Sequence, residues 1–191
     1  MIKKFLLILL LVSLCFTSCS IRQTKKTIAD FKYEISSGQV IITDYIGESK
    51  KVVIPKEINR MDVIAIGNNA FAEKQLTSIS IPKTLTHIGD NAFAFNELTG
   101  VLLPRSLTYI GNSAFLENKL KNLVTPFFLA HIGDKAFFNN QINGIVISHA
   151  VVHIGEEAFS GNQLTSVVIP NSAAQIGKDA FDPNVIINNN K

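Results

Sequence analysis

Apolar residues recur along this chain with a fixed period of 22 residues from Ile66 onward. The phrase Ile-Gly-x-x-Ala-Phe occurs six times, beginning at Ile66, Ile88, Ile110, Ile132, Ile154 and Ile176. A fixed period of about 20 to 50 residues is typical of solenoids, in which each repeat packs against its neighbours. The pattern therefore predicts stacked coils and, because such stacks present a long regular surface, binding rather than catalysis.

Each repeat predicts one short strand and one set of turns. An aliphatic or β-branched stretch closed by proline or serine is expected to form a parallel strand, since proline cannot donate within a sheet. These stretches are residues 76–81, 98–103, 120–125, 142–147 and 164–169. The Ala-Phe pair is expected on a short helical or 3-10 turn on the opposite side. Gly111 would allow a sharp bend or a positive φ, and Asp90, Asn112 and Asp134 would cap these turns.

Two recurrent positions are predicted to be structural. The last residue of each phrase is expected to fill the centre of its coil, so that Phe71, Phe93, Phe115, Phe137, Phe159 and Phe181 stack into one spine. An asparagine recurs just before each strand, at Asn96, Asn118, Asn140, Asn162 and Asn184, with Lys74 in the first copy. These amides are expected to satisfy backbone groups of the adjacent coil that would otherwise be buried without a partner.

The two ends of the array depart from the repeat. Residues 31–63 predict a capping unit with a β-hairpin, whose strands 31–35 and 40–43 flank a turn at 36–39, followed by a strand at 52–55 and a longer loop at 58–66. Such a terminal unit shields the core. Residues 182–187 begin a seventh strand, which leaves the repeat region 64–191 with a truncated last copy. Either the final asparagines cover this edge, or the edge pairs with another chain.

The unit Leu-x-x-Val/Ile-x-Ile-Pro-x-x-Leu-Thr-x-Ile-Gly-x-x-Ala-Phe resembles the BspA-like leucine-rich repeats of bacterial surface proteins, a class also abundant in treponemes. The resemblance covers about residues 31–187. It implies a leucine-rich repeat solenoid with an N-terminal β-hairpin cap and a non-enzymatic role in protein–protein recognition. It also implies adhesion to host matrix, to host cells or to other bacteria.

The first residues are typical of a secretory signal peptide. Lys3 and Lys4 precede an apolar run that is shorter than the ~20 residues of a membrane span. Residues 16–19 resemble a bacterial lipobox, which implies a lipoprotein signal peptide at 1–18, acylation of Cys19 and a tether over 19–30. The mature protein would then be anchored to the cell envelope, on the outer membrane surface or the periplasmic leaflet. The alternative is ordinary cleavage, with Cys19 incidental.

Cysteine usage and charge narrow the chemistry. Both cysteines, Cys15 and Cys19, lie within the first 19 residues, so the folded part has no disulfide, thiolate metal site or cysteine nucleophile. Of 18 Lys and Arg residues, Lys3 and Lys4 leave with the leader, and the remaining 16 nearly balance 15 Asp and Glu. Because the charges nearly balance, the composition does not predict the basic surface that nucleic-acid binding requires.

The strongest candidate surface is an aliphatic column on the predicted strands. Side chains alternate along a strand, so Leu102 points outward while Val101 and Leu103 point inward. The outward column therefore reads Ser80, Leu102, Val124, Val146 and Val168, and two neighbouring columns earlier in the strand hold small or polar residues. It predicts either a ligand-facing groove or self-association face, or only the β-propensity of a solvated sheet.

A second candidate is a set of apolar residues at deviant positions. Phe127 and Phe128 occupy a turn where other copies hold polar or small residues, and Phe95, Leu116 and Phe138 follow the Ala-Phe pair. We expect these residues to form one patch over neighbouring repeats, with Phe127 and Phe128 anchoring a partner. Packing of both rings into the core is the competing interpretation.

Catalytic chemistry is not predicted. Neither the pair Asp90 and Glu97 nor the pair Glu156 and Glu157 has a supporting histidine motif, and no phosphate loop or catalytic triad occurs. His87, His131 and His153 share one register, with Tyr109 between them, and predict either a pH-sensitive or metal-binding surface or a column of incidental imidazoles. No metal and no cofactor is expected.

Three functions remain open. The first is a lipid-anchored binder of a protein partner, whether a host matrix or cell-surface protein or a bacterial envelope protein. The second is a periplasmic binder of a hydrophobic small ligand or lipid. The third is an envelope protein that self-associates through its C-terminal edge.

Overall fold

The computed structural model describes residues 28–170 and 174–189. In this part the repeats wind into a solenoid with one coil per repeat, as the period predicts. Its strands in chain order are β1 (Phe31–Ser36), β2 (Gln39–Tyr45), β3 (Lys51–Val53), β4 (Glu57–Ile58), β5 (Met61–Ile66), β6 (Ser78–Ser80), β7 (His87–Ile88), β8 (Tyr109–Ile110), β9 (Asn122–Val124), β10 (His131–Ile132), β11 (Gly144–Val146), β12 (His153–Ile154), β13 (Ser166–Ile169), β14 (Gln175–Ile176) and β15 (Ile186–Asn189).

The longest sheet follows the isoleucine of the Ile-Gly phrase. It has the order β1-β2-β5-β7-β8-β10-β12-β14, with β4 paired to β5, and the repeat strands run parallel. Equivalent residues pair in register, so that Ile132 lies between Ile110 and Ile154. Sequence analysis did not predict this sheet, because its two-residue strands are too short to show alternation.

The predicted strands are present but shorter, and they form three separate pairs: β3 with β6, β9 with β11, and β13 with β15. We call this the strand side. The prediction of a strand at 98–103 is wrong, since no strand is assigned there although Leu103 is buried. Glycine weakens a strand because it offers no side chain to pack. A Cβ on Gly100 would meet no atom within 4 Å, whereas one on Gly144 would lie 3.2 Å from Asn122 Oδ1.

The Ala-Phe segments form turns, and no helix occurs in the described residues of the repeats. The glycine of the phrase does not supply the positive φ that we predicted. A Cβ on Gly133 would lie 2.6 Å from the backbone nitrogen of Asn112 on the preceding coil, so glycine is required by close approach. The positive φ falls two residues later, at Asn69, Asn91, Ser113, Lys135, Glu157 and Asp179.

The predicted caps also act between coils. The backbone N–H of Asn112 donates to Asp90 Oδ1 at 2.7 Å, and that of Asp134 donates to Asn112 Oδ1 at 2.9 Å. Glu156 N–H continues this ladder by donating to Asp134 Oδ1. Because these turns form no helix, the side chains have no helix start to cap, and they hold successive coils in register instead.

The core confirms the predicted phenylalanine spine and the predicted role of Asn96, Asn118, Asn140 and Asn162, whereas Asn184 is exposed. Phe93 and Phe115 stack with ring centroids 5.1 Å apart, and Phe137 and Phe159 with centroids 5.3 Å apart and planes at 4°. Asn118 Nδ2 donates to the carbonyl oxygens of Phe93 and Phe115, while its Oδ1 accepts from the backbone N–H of Leu98. A buried amide therefore links neighbouring coils at Asn96, Asn118 and Asn140.

The N-terminal unit consists of two hairpins. β1 and β2 join through Ser37 and Gly38, both at positive φ. The second hairpin, β4 and β5, replaces the loop predicted at 58–66, because Asn59 and Arg60 at positive φ form a tight two-residue turn. Tyr45 extends the aromatic spine by stacking on Phe71, with ring centroids 5.5 Å apart.

Candidate functional site

The aliphatic column lies on the outside of the strand side. Leu102 is 86% exposed, Val124 65%, Val146 62% and Val168 44%. Their chain neighbours Leu103, Leu123, Ile147 and Ile169 are buried, as the alternation predicts. We call these four exposed residues the aliphatic column. Their side chains are free to contact a partner, whereas binding by them stays a prediction.

Phe127 and Phe128 are exposed beside this column, so the interpretation that both rings pack into the core is wrong. They are 61% and 51% exposed. Their rings meet edge to face, with centroids 4.9 Å apart and planes at 89°. The guanidinium carbon of Arg105 lies 5.1 Å from the centroid of Phe127 and 5.7 Å from that of Phe128. The two rings stay outside because Pro126 and Leu129 on either side take the buried positions of this turn.

An apolar groove separates the two phenylalanines from the next coils. We call it the Phe groove, and its volume is about 680 Å³. This volume falls within the ~300–1,000 Å³ of ordinary ligand pockets. The groove is lined by Thr125, Phe127, Phe128, Val146, Ile147, Ser148, His149, Ala150 and Pro170. Val146 belongs to both the groove and the aliphatic column, so the two features are continuous.

The floor of the Phe groove is fixed by two coupled departures from the repeat. Thr125 stands where the neighbouring copies have Leu103 and Ile147, and Ser148 stands where they have proline. Serine restores the backbone N–H, which donates to Thr125 Oγ1 at 2.7 Å. The Ser148 hydroxyl donates to the carbonyl oxygen of Phe127 at 3.1 Å. These bonds hold the Phe127 turn against the next coil.

Phe95, Leu116 and Phe138 do not join this patch, contrary to the prediction of a single cluster. The Phe groove includes none of them. They lie along the turns that carry the spine, where Phe95 N–H donates to the Leu116 carbonyl. Phe95 is 46% exposed, while Leu116 and Phe138 are half-buried and Lys135 Nζ lies 5.8 Å from the Phe138 ring centroid. Half a coil of chain separates them from Phe127, so sequence deviation alone did not imply proximity.

The histidine register forms a stack on the long sheet. Tyr109 stacks on His131 with ring centroids 4.6 Å apart, and His131 on His153 with centroids 4.4 Å apart. The pKa of His131 lies below its usual 6.5, first because burial disfavours the imidazolium and then because of repulsion from His153, against an opposing effect of Asp134. Among the described residues, no group of three or more His, Cys, Asp and Glu could hold a metal ion.

Sequence reasoning missed Arg105, His149 and the Phe groove itself. The signal was available in the repeat register, where Arg105, Phe127 and His149 follow the end of the strand in three consecutive copies. Thr125 and Ser148 were equally visible as paired exceptions. The opening between the Phe127 turn and Pro170 could not be predicted from the repeat register, because it depends on side-chain packing.

The predicted leader and Cys19 lie outside the described residues. Within those residues, no helix has the length and apolar character that a bilayer crossing requires. Lipid attachment therefore stays a prediction based on residues 1–19.

Comparison with known proteins identifies the repeat. The family described as BspA type leucine rich repeat region matches residues 64–187 in six copies. The T. pallidum leucine rich repeat protein is similar in structure, with 21% identity over 85% of this chain and 84% of its own, and a TM-score of 0.58. A leucine rich cell surface protein of Faecalibacterium prausnitzii A2-165 has 19% identity over 84% of this chain and 53% of its own, with a TM-score of 0.58. Both likenesses show the fold. No curated protein matches the chain.

Proposed function

Since the chain belongs to the BspA-type leucine-rich repeat family, whose stacked repeats form extended binding surfaces, we propose that it is a bacterial envelope lipoprotein that binds a protein partner. The binding surface is the aliphatic column together with the Phe groove. Adhesion to host matrix, to host cells or to other bacteria is the role that we propose for it. The supporting observation is the continuity of four exposed aliphatic side chains with two exposed phenylalanines on a rigid scaffold.

The energetics of burying these side chains favour a protein partner. Exposed apolar residues that adjoin over several coils lose contact with water when a partner covers them, at about 25 cal/mol per Å². Aromatic and arginine side chains in the middle of an interface contribute the most. Phe127, Phe128 and Arg105 supply both types at one place. Because their backbone is fixed by the stacked coils, little conformational entropy is lost on binding.

The binding experiment replaces both Phe127 and Phe128 with serine and compares binding to a panel of purified host matrix proteins and purified envelope proteins. The matched control is Phe95→Ser, which removes an exposed aromatic ring from the separate turn surface. Circular dichroism and thermal unfolding establish that each variant is folded. We expect the double variant to lose binding and the control to keep it. Loss only in the control would move the site to the surface of Phe95, Leu116 and Phe138.

The envelope location is tested separately. We expect the mature N-terminus to carry acyl groups on Cys19, which mass spectrometry of the purified protein measures directly. Cys19→Ala should release the protein from membranes without altering the fold of the repeats. Protease treatment of intact cells tests surface exposure, because a periplasmic protein is protected. An unmodified mature N-terminus would contradict the anchor and leave the binding surface unaffected.

A hydrophobic small ligand or lipid is the second candidate, favoured by the volume and apolar lining of the Phe groove. Titration with a fluorescent fatty acid tests it, and saturable binding that Val146→Glu abolishes would support it. Self-association is the third candidate, because Ile186 and Ile187 of β15 are 65% and 44% exposed. A strictly monomeric mass in light scattering would rule out the third.

A further inference from the structure

Carboxylates are absent from one half of every repeat. In the repeat region all nine Asp and Glu side chains fall between the glycine of the phrase and the residue after the recurrent asparagine: Glu73, Asp90, Glu97, Glu117, Asp134, Glu156, Glu157, Asp179 and Asp182. The other half of each repeat contains the strand, the turn after it and the histidine register. This half holds Lys83, Arg105, Lys121, Lys191 and all four histidines, and no Asp or Glu side chain.

The basic residues of the two halves differ in their partners. On the carboxylate-bearing half, each lysine is paired: Lys74 with Asp44, Lys119 with Glu97, Lys135 with Glu157 and Lys178 with Asp179. On the other half, Lys83, Arg105 and Lys121 have no ion-pair partner among the described residues. Charges that no neighbouring charge compensates attract an oppositely charged ligand and direct its approach.

The unpaired charges lie beside the proposed binding surface in an ordered row. Lys83, Arg105, Phe127 and His149 occupy the same position in four consecutive coils, directly after the proline or serine that closes the strand segment. Basic side chains therefore occupy the N-terminal part of the row, and the Phe groove lies over its C-terminal part. Lys121 stands on the opposite flank of the aliphatic column, immediately before β9.

We propose that this surface takes an extended acidic segment of the protein partner, with a bulky apolar side chain in the Phe groove and carboxylates on Arg105 and Lys83. This inference rests on the proposed function, because it specifies the partner of the same site. Neighbouring coils are ~4.8 Å apart and an extended chain advances ~3.3 Å per residue. The acidic residues of the partner should therefore lie about two to four residues from the apolar one, on one side of it only.

A protein segment fits this surface better than an anionic membrane does. The margins of the carboxylate-free half carry Asp90 and Asp134 on one side and Glu97 on the other. A flat anionic bilayer would meet these margins and be repelled. A narrow segment that follows the row avoids them. The guanidinium of Arg105, already held over the two phenylalanine rings, presents its N–H groups to a carboxylate at low entropic cost.

The test is selection of peptides from a random displayed library on the full chain purified in detergent. We expect the recovered peptides to be enriched in Asp and Glu next to one bulky apolar residue. A representative peptide, made synthetically, should bind about tenfold or more weakly to Lys83→Glu/Arg105→Glu, because reversed charges repel it. Its affinity should also fall as salt rises. Lys178→Glu is the matched control, since it reverses a paired lysine on the other half, and it should leave the affinity unchanged.

The outcomes separate this inference from the proposed function. Peptides that need Phe127 and Phe128 but show no acidic enrichment, and that bind the charge-reversed variant normally, would overturn the inference and leave the proposed function standing. Recovery of no peptide, or of peptides indifferent to Phe127→Ser/Phe128→Ser, would also overturn the inference. The panel of purified proteins then decides the proposed function. Binding to phosphatidylglycerol vesicles that Arg105→Glu abolishes, without peptide binding, would assign the surface to an anionic membrane instead.

Discussion

His131 and His153 stack on neighbouring strands of the long sheet with ring centroids 4.4 Å apart and planes at 3°. Two parallel imidazoles at this distance cannot both be protonated without repulsion. The pKa of His131 is accordingly lower than its usual 6.5, first through burial and then through His153. At a pH between the lowered pKa of His131 in the native state and its usual pKa in the unfolded chain, the native state therefore binds fewer protons than the unfolded chain.

This relationship predicts a pH-dependent stability. Since the unfolded state takes up protons, the contribution of His131 is fully present above pH ~6.5 and decreases as the pH falls through the lowered native pKa. We expect urea denaturation to show a smaller free energy of unfolding at pH ~5 than at neutral pH, with a weaker dependence in His131→Gln. His87→Gln is the control, because His87 stacks on Tyr109 rather than on a second imidazole. An identical pH profile in His131→Gln would contradict the assignment.

The aromatic spine predicts unequal costs for phenylalanines close together in sequence. Phe137→Ala leaves a cavity in a fully buried stack and should cost about 3–5 kcal/mol. This is comparable to the entire ~5–15 kcal/mol stability of a domain. Phe127→Ala removes an exposed ring and should cost less than about 1 kcal/mol. Thermal and urea unfolding of both variants measure the difference, and similar losses would mean that the Phe127 ring is packed rather than exposed.

The buried amide of Asn118 predicts a smaller but measurable contribution to stability. Asn118→Ala would leave the Leu98 N–H without its partner. The Phe93 and Phe115 carbonyl oxygens would each lose one of two donors and keep Asn96 Nδ2 and Asn140 Nδ2, respectively. One unsatisfied buried group costs about 1–3 kcal/mol, so we expect a loss of about 1–3 kcal/mol in the free energy of unfolding. Asn122→Ala, at an exposed position of β9, is the control and should change stability by less than about 0.5 kcal/mol. Equal effects would show that water replaces the Asn118 bonds.

Two glycines predict opposite results for the same substitution. In Gly133→Ala the new Cβ would lie 2.6 Å from the Asn112 nitrogen. The coils must separate to accommodate it, at about 1–3 kcal/mol. In Gly100→Ala the Cβ meets no atom within 4 Å. This substitution should be neutral or stabilise by up to about 1 kcal/mol, because it restricts the unfolded chain. Differential scanning calorimetry measures both, and loss of stability in Gly100→Ala would indicate a contact in the folded protein at this position.

The core could be predicted because each coil repeats the same local requirements. The phenylalanine of every copy, and the asparagine of the inner copies, recur every 22 residues and meet the same neighbours one coil away, so one interpretation holds for them all. For the glycine of the Ile-Gly phrase, recurrence alone was not enough to predict its role. Its recurrence indicated that no side chain is tolerated, but only the coil-to-coil distance distinguishes close approach from a positive φ.

The proposed binding surface could be predicted only in part. From the sequence alone, the exposed aliphatic column and the exceptional Phe127 and Phe128 could be identified, because register and alternation assign each residue to a side of the coil. The tertiary structure decided which exceptions are neighbours. It placed Phe127 and Phe128 beside Arg105 and Val146, and it separated them from Phe95, because contact between half-coils depends on how the chain bends at its corners. Repetition specifies a scaffold locally, whereas a binding surface arises from packing between residues that repetition does not relate.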